Sequence, residues 1–174
     1  LAREQLRQKD VPSDRLVFID DKPNDSTVNG QRVLTYPEFV GTKASEYHVA
    51  IAIGDGSIRE KLAFRCSKDG VLPWSISASN IVIMDDVTIG KGCILSPFVT
   101  LTSNIQIGQH FQANLYSYVE HDCEIGDFVT FAPAVKCNGN VKIEDHAYIG
   151  AGAVIKQGEP GKPLVIGVGA VVGM

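Results

Sequence analysis

The sequence has no excess of basic residues and no long apolar run, and each absence excludes a class of function. Its 16 Lys and Arg residues stand against 20 Asp and Glu residues, which gives a formal net charge of −4 at pH 7. A nucleic-acid-binding protein calls for a basic face, and a membrane-spanning helix needs about 20 consecutive apolar residues. We therefore expect neither nucleic-acid binding nor a membrane span.

An apolar residue recurs at every sixth position through the second half of the chain. The first column of this repeat comprises Ile83, Ile89, Leu95, Leu101, Ile107, Ala113, Val119, Ile125, Phe131, Cys137, Ile143, Ile149 and Ile155. A second column starts four residues later, with one polar member, and comprises Val87, Cys93, Val99, Ile105, Phe111, Ser117, Cys123, Val129, Val135, Val141, Ala147 and Ala153. An α-helix repeats its faces every 3.6 residues and a strand every two. A strict period of six is instead typical of a hexapeptide β-helix.

Three short strands and three corners would make one coil of such a β-helix, with both columns facing the interior of a triangular prism. Each coil would then contain about eighteen residues, and successive coils would stack about 4.8 Å apart. Four glycines directly follow a column residue, where we expect them to supply the backbone freedom that a corner needs: Gly90, Gly108, Gly126 and Gly150.

The chain contains only four cysteines, and three of them fall in the inward columns: Cys93, Cys123 and Cys137. A buried free cysteine packs as a small hydrophobe. We therefore expect these residues to fill the core rather than to form disulfides or a metal cluster. Unpaired thiols favour a reducing, cytoplasmic location.

Helix and strand signals alternate before the repeat begins. Residues 1–9 predict a helix, and residues 16–20 (LVFID) and 48–53 (HVAIAI) predict buried strands. Ser57 and Glu60 have the spacing of a capping box at the start of a further helix. Alternating helices and strands indicate a small parallel α/β unit.

The predicted strands of this unit end in residues suited to binding a nucleotide. Asp20 and Asp21 end one strand, and Gly54 follows the other in a glycine turn before a helix. Ligands of open parallel sheets bind beyond the carboxyl ends of the strands, where an acidic residue often holds a ribose hydroxyl and a helix start offers free N–H groups. The alternative is that Asp20 and Asp21 merely begin a polar loop.

Two domains are therefore predicted: an α/β nucleotide-binding domain at residues 1–75 and a β-helix at residues 76–174. The chain starts at Leu1 and ends at Met174 partway through a coil, although the terminal coils of such a rod need capping. We expect a fragment of a longer protein, with the first strand of the α/β domain and the last coils of the β-helix missing.

His121 is the histidine placed for catalysis. It lies two positions after Val119, so it belongs to neither column and should project from a corner of the prism, flanked by Glu120 and Asp122. Gly139 lies eighteen residues later, at the same corner one coil along. An imidazole can accept a proton near neutral pH, a carboxylate can raise its basicity, and a backbone N–H can stabilise an oxyanion. A solvated surface histidine is the alternative.

A zinc site is a weaker hypothesis. His110 and His146 occupy one corner two coils apart, or about 9.5 Å from the strand spacing. This separation is too large for two ligands of one zinc ion within a subunit. No metal is expected.

The segment 118–143, YVEHDCEIGDFVTFAPAVKCNGNVKI, closely resembles the signature of the sialic acid O-acetyltransferase family of hexapeptide-repeat acyltransferases. Within that family it is most similar to the nucleotide-amino-sugar N-acetyltransferases, which act on UDP-4-amino sugars or GDP-perosamine. The sequences FIDD at 18–21 and AIGDGSIREKL at 52–62 resemble the family's N-terminal sugar-nucleotide domain.

The resemblance implies a homotrimer of left-handed parallel β-helices, each preceded by a small Rossmann-like α/β domain, with acetyl-CoA bound between subunits. It also implies roles for residues at matching positions. His121 would be the general base, Asp122 would increase its basicity, and the Gly139 N–H would bind the thioester carbonyl. The backbone near Ala151 would hold the pantetheine arm of CoA. Nucleotide and acceptor sugar would be contacted by Asp20, Asp21, Gly54 and Asn114.

Three functions remain open at this point. The first is an N-acetyltransferase that transfers acetyl from acetyl-CoA directly to the amine of a nucleotide-linked sugar of the UDP-4-amino-4,6-dideoxy type. The second is a sugar O-acetyltransferase, and the third is a β-helix that binds ligands without catalysis. The strand-end pair Asp20 and Asp21 favours a nucleotide-bearing acceptor, and His121 above Gly139 argues against a purely structural rod. The segment 157–163 (QGEPGKP) interrupts the six-residue period and predicts an external loop.

Overall fold

The computed structural model describes residues 1–42 and 44–173, which begin with a small α/β unit. Its helices are α1 (Ala2–Gln8), α2 (Tyr36–Val40) and α3 (Gly56–Lys68), with a 3-10 turn at Ser13–Arg15. Its strands are β1 (Phe18–Ile19), β2 (Thr27–Val28), β3 (Gln31–Leu34), β4 (His48–Val49) and β5 (Leu72–Pro73). Strand β3 pairs in parallel with β1 and antiparallel with β2, while β4 and β5 form a parallel pair connected through α3. The helix and both strands predicted from the sequence are present, but the strands are shorter than predicted and are partly exposed rather than buried.

The helix predicted from Ser57 begins differently from the expected capping box. Asp55 is the residue that caps α3, and its side chain accepts a hydrogen bond of 2.9 Å from the Ile58 N–H. Glu60 lies instead near the ring of His146, with 3.6 Å between Oε2 and Nε2. The prediction was wrong because aspartate caps a helix as well as serine does, and here the helix begins earlier. No helix in the described residues is long and apolar enough to cross a bilayer.

A three-sided parallel β-helix follows, and each of its strands pairs with the strand one coil along. Face 1 consists of β6 (Ile76–Ser77), β9 (Ile94–Leu95), β12 (Gln112–Ala113), β15 (Thr130–Phe131), β18 (Tyr148–Ile149) and β21 (Val171–Val172). Face 2 consists of β7 (Val82–Ile83), β10 (Thr100–Leu101), β13 (Tyr118–Val119), β16 (Lys136–Cys137) and β19 (Val154–Ile155). Face 3 consists of β8 (Val87–Ile89), β11 (Ile105–Ile107), β14 (Cys123–Ile125), β17 (Val141–Ile143) and β20 (Leu164–Ile166). This strand order is consistent with a left-handed parallel β-helix.

The two predicted columns form one continuous core. From Cys93 to Ile155 every member of both columns is buried. The polar member, Ser117, donates its hydroxyl to the Ala132 carbonyl at 3.1 Å and accepts from the Val135 N–H at 3.2 Å. Ile83 and Ile89 were predicted to face the core but are exposed, because they lie in the first coil and have a stacked neighbour on one side only.

The corners repeat one backbone conformation every six residues. A positive φ occurs at Asp86, Gly92, Phe98, Asn104, His110, Tyr116, Asp122, Phe128, Ala134, Asn140, His146 and Gly152. The left-handed region normally disfavours side chains with a Cβ, yet only two of these residues are glycines.

The glycines that were expected to supply this conformation lie elsewhere in the corner and have no positive φ: Gly90, Gly108, Gly126 and Gly150. Their role is close packing between coils. A Cβ at Gly90 would lie 2.5 Å from the backbone nitrogen of Gln109. The expectation was correct about glycine at the corner and wrong about its reason.

The α/β unit packs against face 1 of the β-helix. The Gln112 side chain donates to the Ile51 carbonyl at 2.7 Å, and the Thr130 hydroxyl donates to the Gly54 carbonyl at 2.8 Å. Both side chains point outward from face 1 and hold the segment that follows β4. The loop before α3 is therefore fixed on one side of the prism.

Candidate active site

His121 projects from the corner between faces 2 and 3, as predicted. Its Nδ1 lies 2.8 Å from Oδ2 of Asp122, and the other oxygen of Asp122 accepts a hydrogen bond of 3.0 Å from the Asn104 side chain. The His121 side chain is 48% exposed. The hydrogen bond with Asp122 raises the pKa of His121 above its ordinary value, and the same bond together with that from Asn104 lowers the pKa of Asp122. The arrangement is that of a base held in orientation by a carboxylate.

Gly139 lies directly beneath the His121 ring. A Cβ at position 139 would be 2.7 Å from both Cε1 and Nε2 of His121, so the ring can adopt this position only over a glycine. Gly139 is buried by this contact, and its carbonyl accepts from the Gly158 N–H at 3.0 Å. The Gly139 N–H has no backbone partner within the described residues.

The segment 157–163 forms an external loop between β19 and β20, as predicted. Glu159 and Lys162 pair across a tight turn, and the base of the loop is attached to the corner below His121. There the Leu164 N–H donates to the Asn140 carbonyl at 3.0 Å. The loop borders an open cavity of about 410 Å³ whose other walls include Asp122 and Lys142. It therefore lies beside the histidine and carboxylate pair.

Asn114 and Ala151 lie at a different corner from His121 within one chain. Both follow strands of face 1, at the corner between faces 1 and 2, whereas His121 lies on the far side of face 2. The Asn114 side chain accepts from the Leu115 N–H at 2.8 Å. The structure thus separates these two predicted residues from the histidine by the width of face 2.

Asp20, Asp21 and Gly54 are not brought together either. Asp20 accepts from the Lys22 N–H at 2.9 Å, while Asp21 accepts from the Tyr36 N–H at 3.2 Å and pairs with Arg65 at 3.3 Å. Arg65 lies nine residues after the start of α3, about 13 Å along the helix axis at 1.5 Å per residue. Gly54 precedes the other end of that helix. The two carboxylates thus have local partners.

The α/β unit and the His121 corner lie on opposite sides of the prism. The unit packs on face 1, whereas His121 lies at the corner where faces 2 and 3 meet. In a three-sided prism that corner is opposite face 1. A ligand held at the Gly54 turn therefore does not face His121 of its own chain.

The remaining rod histidines form a stack with Phe128, in which His110 and Phe128 are buried and His146 is partly exposed. The ring centroids of His110 and Phe128 are 5.1 Å apart, and those of Phe128 and His146 are 5.4 Å apart, with all planes within 6° of parallel. Phe128 thus lies between the two imidazoles that were considered as zinc ligands. Among residues 1–42 and 44–173, no group of three or more His, Cys, Asp or Glu side chains is placed to hold a metal ion. All four cysteines are buried and unpaired.

Two further residues belong to this description and were not identified from the sequence. Asn104 supports Asp122 and could have been found, because it lies eighteen residues before it at the same corner. Arg59 is completely buried between the two units. No periodic signal marks it, because it lies outside the repeat.

Comparison with known proteins gives the chain close relatives, although no protein-family model matches it. It is 47% identical over 169 residues to the GDP-perosamine N-acetyltransferase of Escherichia coli O157:H7, which covers 97% of this chain and 76% of the relative. The structure of WeeI from Acinetobacter baumannii AYE matches with 54% identity and a TM-score of 0.97, covering 100% of this chain and 81% of that one. The fold is also that of PerB from Caulobacter crescentus, solved with CoA and GDP-perosamine, at 20% identity, a TM-score of 0.71 and coverage of 98% and 86%.

Proposed function

Because the chain belongs to the hexapeptide-repeat acyltransferases, in the branch of nucleotide-amino-sugar N-acetyltransferases, we propose that it acetylates the amine of a nucleotide-linked amino sugar with acetyl-CoA. The observation that carries the proposal is the His121 ring, paired with Asp122 and packed on Gly139, whose N–H has no backbone acceptor among the described residues. A base and an oxyanion donor side by side are what direct acyl transfer to an amine requires.

His121 acts as the general base in this proposal. The amine nitrogen attacks the carbonyl carbon of the thioester, and Nε2 of His121 takes the proton that the nitrogen loses. The Gly139 N–H binds the oxyanion of the tetrahedral intermediate, which collapses with cleavage of the C–S bond. The proton passes to the departing sulfur, so that amide and free CoA thiol are the products. Asp122 stabilises the imidazolium that forms in between.

General-base catalysis contributes about 10² to 10⁴ in rate and one oxyanion donor about 10² to 10³. The rest of the acceleration must come from holding both substrates in one groove. The loop at 157–163 and the backbone near Ala151 border this groove in the proposal, with Ala151 contacting the pantetheine arm. The cavity beside Asp122 supports the part assigned to the loop.

The acceptor is assigned to the domain at residues 1–75, which is proposed as a Rossmann-like nucleotide-sugar-binding domain. The parallel unit β4–α3–β5 supports this assignment. Asp20, Asp21 and Gly54 contact the nucleotide, and Asn114 contacts the sugar. The surroundings of Gly54 are open, since a Cβ there would meet no atom within 4 Å.

A homotrimer with sites shared between subunits completes the proposal, and two observations support it. The Gly54 turn lies opposite His121 within one chain, so a second subunit is needed to bring an acceptor to the base. Apolar side chains are also exposed along the rod. Phe98 and Tyr116 stack at 4.8 Å while remaining 51% and 61% exposed. The unpaired cysteines support a cytoplasmic location.

The decisive experiment offers acetyl-CoA with a panel of UDP- and GDP-linked amino sugars and their hydroxyl counterparts, and follows the release of free thiol. Both nucleotides belong in the panel. The resemblance of the sequence favours a UDP-linked sugar, whereas the Escherichia coli relative is named for a GDP-linked one. Release with an amino sugar but not with its hydroxyl counterpart supports the proposal. Release with hydroxyl sugars alone would replace it with O-acetylation.

Sharing of sites is tested by mixing two inactive variants, His121→Ala and Gly54→Trp. Each mixed trimer then contains an intact base on one subunit and an intact acceptor turn on another. Activity regained on mixing supports shared sites. Continued inactivity of a mixture shown by native mass spectrometry to contain mixed trimers would contradict them.

A further inference from the structure

The Arg59 side chain connects the α/β unit to the β-helix. It leaves the first turn of α3 and has no solvent exposure at all. Each nitrogen of its guanidinium group donates to backbone carbonyls at 2.5–3.3 Å, which belong to His110, Ile53, Gly54, Phe128 and Val129. The five N–H donors of an arginine are thus matched by five acceptors.

The acceptors come from three separate segments. Ile53 and Gly54 form the turn before α3, while His110 and the pair Phe128 and Val129 lie in the corners of two successive coils of the β-helix. The Gly54 carbonyl also accepts from the Thr130 hydroxyl at 2.8 Å. One side chain therefore fixes the turn against two coils at once.

The backbone of α3 is also in direct contact with the rod. A Cβ at Gly56 would lie 2.5 Å from the Phe128 carbonyl oxygen, so the helix start can approach this closely only with a glycine at that position. The Arg59 and Gly56 contacts meet at the same corner. The position of the Gly54 turn relative to the coils is thus determined from both sides.

Stability alone does not call for an arginine here. Burial lowers the pKa of Arg59 to about 10, so the group is still charged at neutral pH, and no carboxylate within the described residues forms an ion pair with it. Burying a charge is costly, and apolar replacements of buried ionic groups are often neutral or stabilising. An arginine adds a planar, rigid guanidinium group, which fixes the directions of its hydrogen bonds.

We propose that Arg59 is a positioning residue for acetyl transfer, which holds the Gly54 turn at a fixed place on the rod so that the acceptor amine is presented to His121 in the assembled enzyme. This inference rests on the proposed function. Misplacement of a substrate by about 1 Å can cost about 100-fold in rate. Loss of Arg59 should therefore affect the transfer step rather than the binding of either substrate.

The test compares Arg59→Met, which keeps the length but not the donors, with Arg59→Lys, which keeps the charge and at most three donors. Lys61→Met is the matched control, because Lys61 is exposed on the same helix. We expect Arg59→Met to lower kcat for the best acceptor of the wild-type panel by about 10- to 100-fold. Calorimetry should give unchanged dissociation constants for CoA and for the matching nucleoside diphosphate, and Arg59→Lys should recover part of kcat.

Several results would overturn the proposal. A wild-type kcat in Arg59→Met would mean that Arg59 has no role in catalysis. A fall in the number of CoA sites that parallels the loss of kcat would mean that its role is merely structural. If Arg59→Met does not fold, an unchanged kcat in a folded Arg59→Lys has the same meaning. If the wild-type enzyme shows no activity with any sugar of the panel, the proposed function is overturned and this inference with it. If the wild type is active and the Arg59 variants have the same kcat, only the inference is overturned.

Discussion

Two corners of the β-helix carry histidines in almost the same place, and the histidines are used in opposite ways. At the corner between faces 2 and 3, His121 is half exposed and paired with a carboxylate. At the corner between faces 3 and 1, His110 and His146 lie on either side of Phe128, and Nδ1 of each is buried without a hydrogen-bond partner. The backbone is nearly identical at the two corners.

A shift of one position within the six-residue period accounts for the difference. His110 and His146 occupy the left-handed position, where side chains of successive coils stack along the rod. His121 precedes that position, which is filled at its corner by Asp122, and its ring lies instead on the glycine of the next coil. Position within the period thus decides whether a histidine projects beside a carboxylate or stacks on an aromatic ring.

The largest effect is expected from removing the exposed imidazole. His121→Ala should lower kcat by about 10² to 10⁴, the range that general-base catalysis contributes, while circular dichroism and the melting temperature remain those of the wild type. His48→Ala is the matched control, because His48 is also exposed and paired with a carboxylate, Glu46, but lies in the α/β unit. A kcat for His121→Ala equal to that of His48→Ala would remove the role given to the base.

Gly139→Ala tests whether catalysis depends on the packing of the His121 ring against position 139. Position 139 has no positive φ, so alanine is compatible with the backbone, and the one obstacle is the His121 ring at 2.7 Å. We expect the ring to be displaced and kcat to fall by about 10- to 100-fold, since a misplaced catalytic group costs about this much.

The control for this substitution is Gly167→Ala, where the added Cβ would come no closer than 3.9 Å to its nearest neighbour. Steady-state kinetics of both variants, with crystal structures to locate the His121 ring, checks the prediction. A displaced ring with undiminished kcat would show that catalysis does not depend on the stacking.

The contacts between successive coils could be predicted because, in a regular repeat, the separation of two residues in the sequence determines their separation in the structure. Eighteen residues equal one coil, so the contact of His121 with Gly139 and the separation of His110 from His146 followed from counting. The same rule could have located Asn104 beneath Asp122. It could not reveal that Phe98, His110 or Ala134 adopts a left-handed conformation, because local propensity alone would assign that role to glycine.

The α/β unit has no sequence repeat, so its elements could be predicted but their arrangement in space could not. The helix and strands were identified from their patterns, but the distance between Asp21 and Gly54 depends on how α3 crosses the unit. Arg59 becomes significant only when its five carbonyl partners, up to 70 residues away in sequence, are in place. Tertiary contacts of this kind carry no periodic signal.

A smaller effect on rate is expected from Asp122→Asn. The base must be neutral to accept a proton, so activity should fall as the pH drops through the pKa of His121, which the hydrogen bond that Asp122 accepts raises above the ordinary value. The substitution removes that contribution, and the acidic limb of the profile of kcat against pH should move to lower pH. We expect a roughly tenfold loss at the optimum, which is less than the 10² to 10⁴ that the base itself contributes. An acidic limb that does not move would mean that His121 is not the group titrating.

The smallest effect on activity, and the clearest on stability, is expected at the other corner. Burial and the nearby charge of Arg59 lower the pKa of His110, against a weaker opposing effect of Asp127. The unfolded chain, with a histidine pKa near 6.5, therefore takes up the proton first as the pH falls. Stability should be constant above about pH 7 and should decrease as the pH drops through 6.5.

His110→Phe removes the titrating group and keeps a flat ring stacked on Phe128. Phe98 and Phe128 already occupy the equivalent position in other coils. Its melting temperature should exceed that of the wild type by more at pH 5 than at pH 7.5, with each kcal/mol shifting the melting temperature by about 2–4 °C in a chain of this size. Its kcat should match that of the wild type. An equal pH dependence in the two proteins would place the acid-sensitive group elsewhere, and a large loss of kcat would mean that the two corners are less separate in function than in geometry.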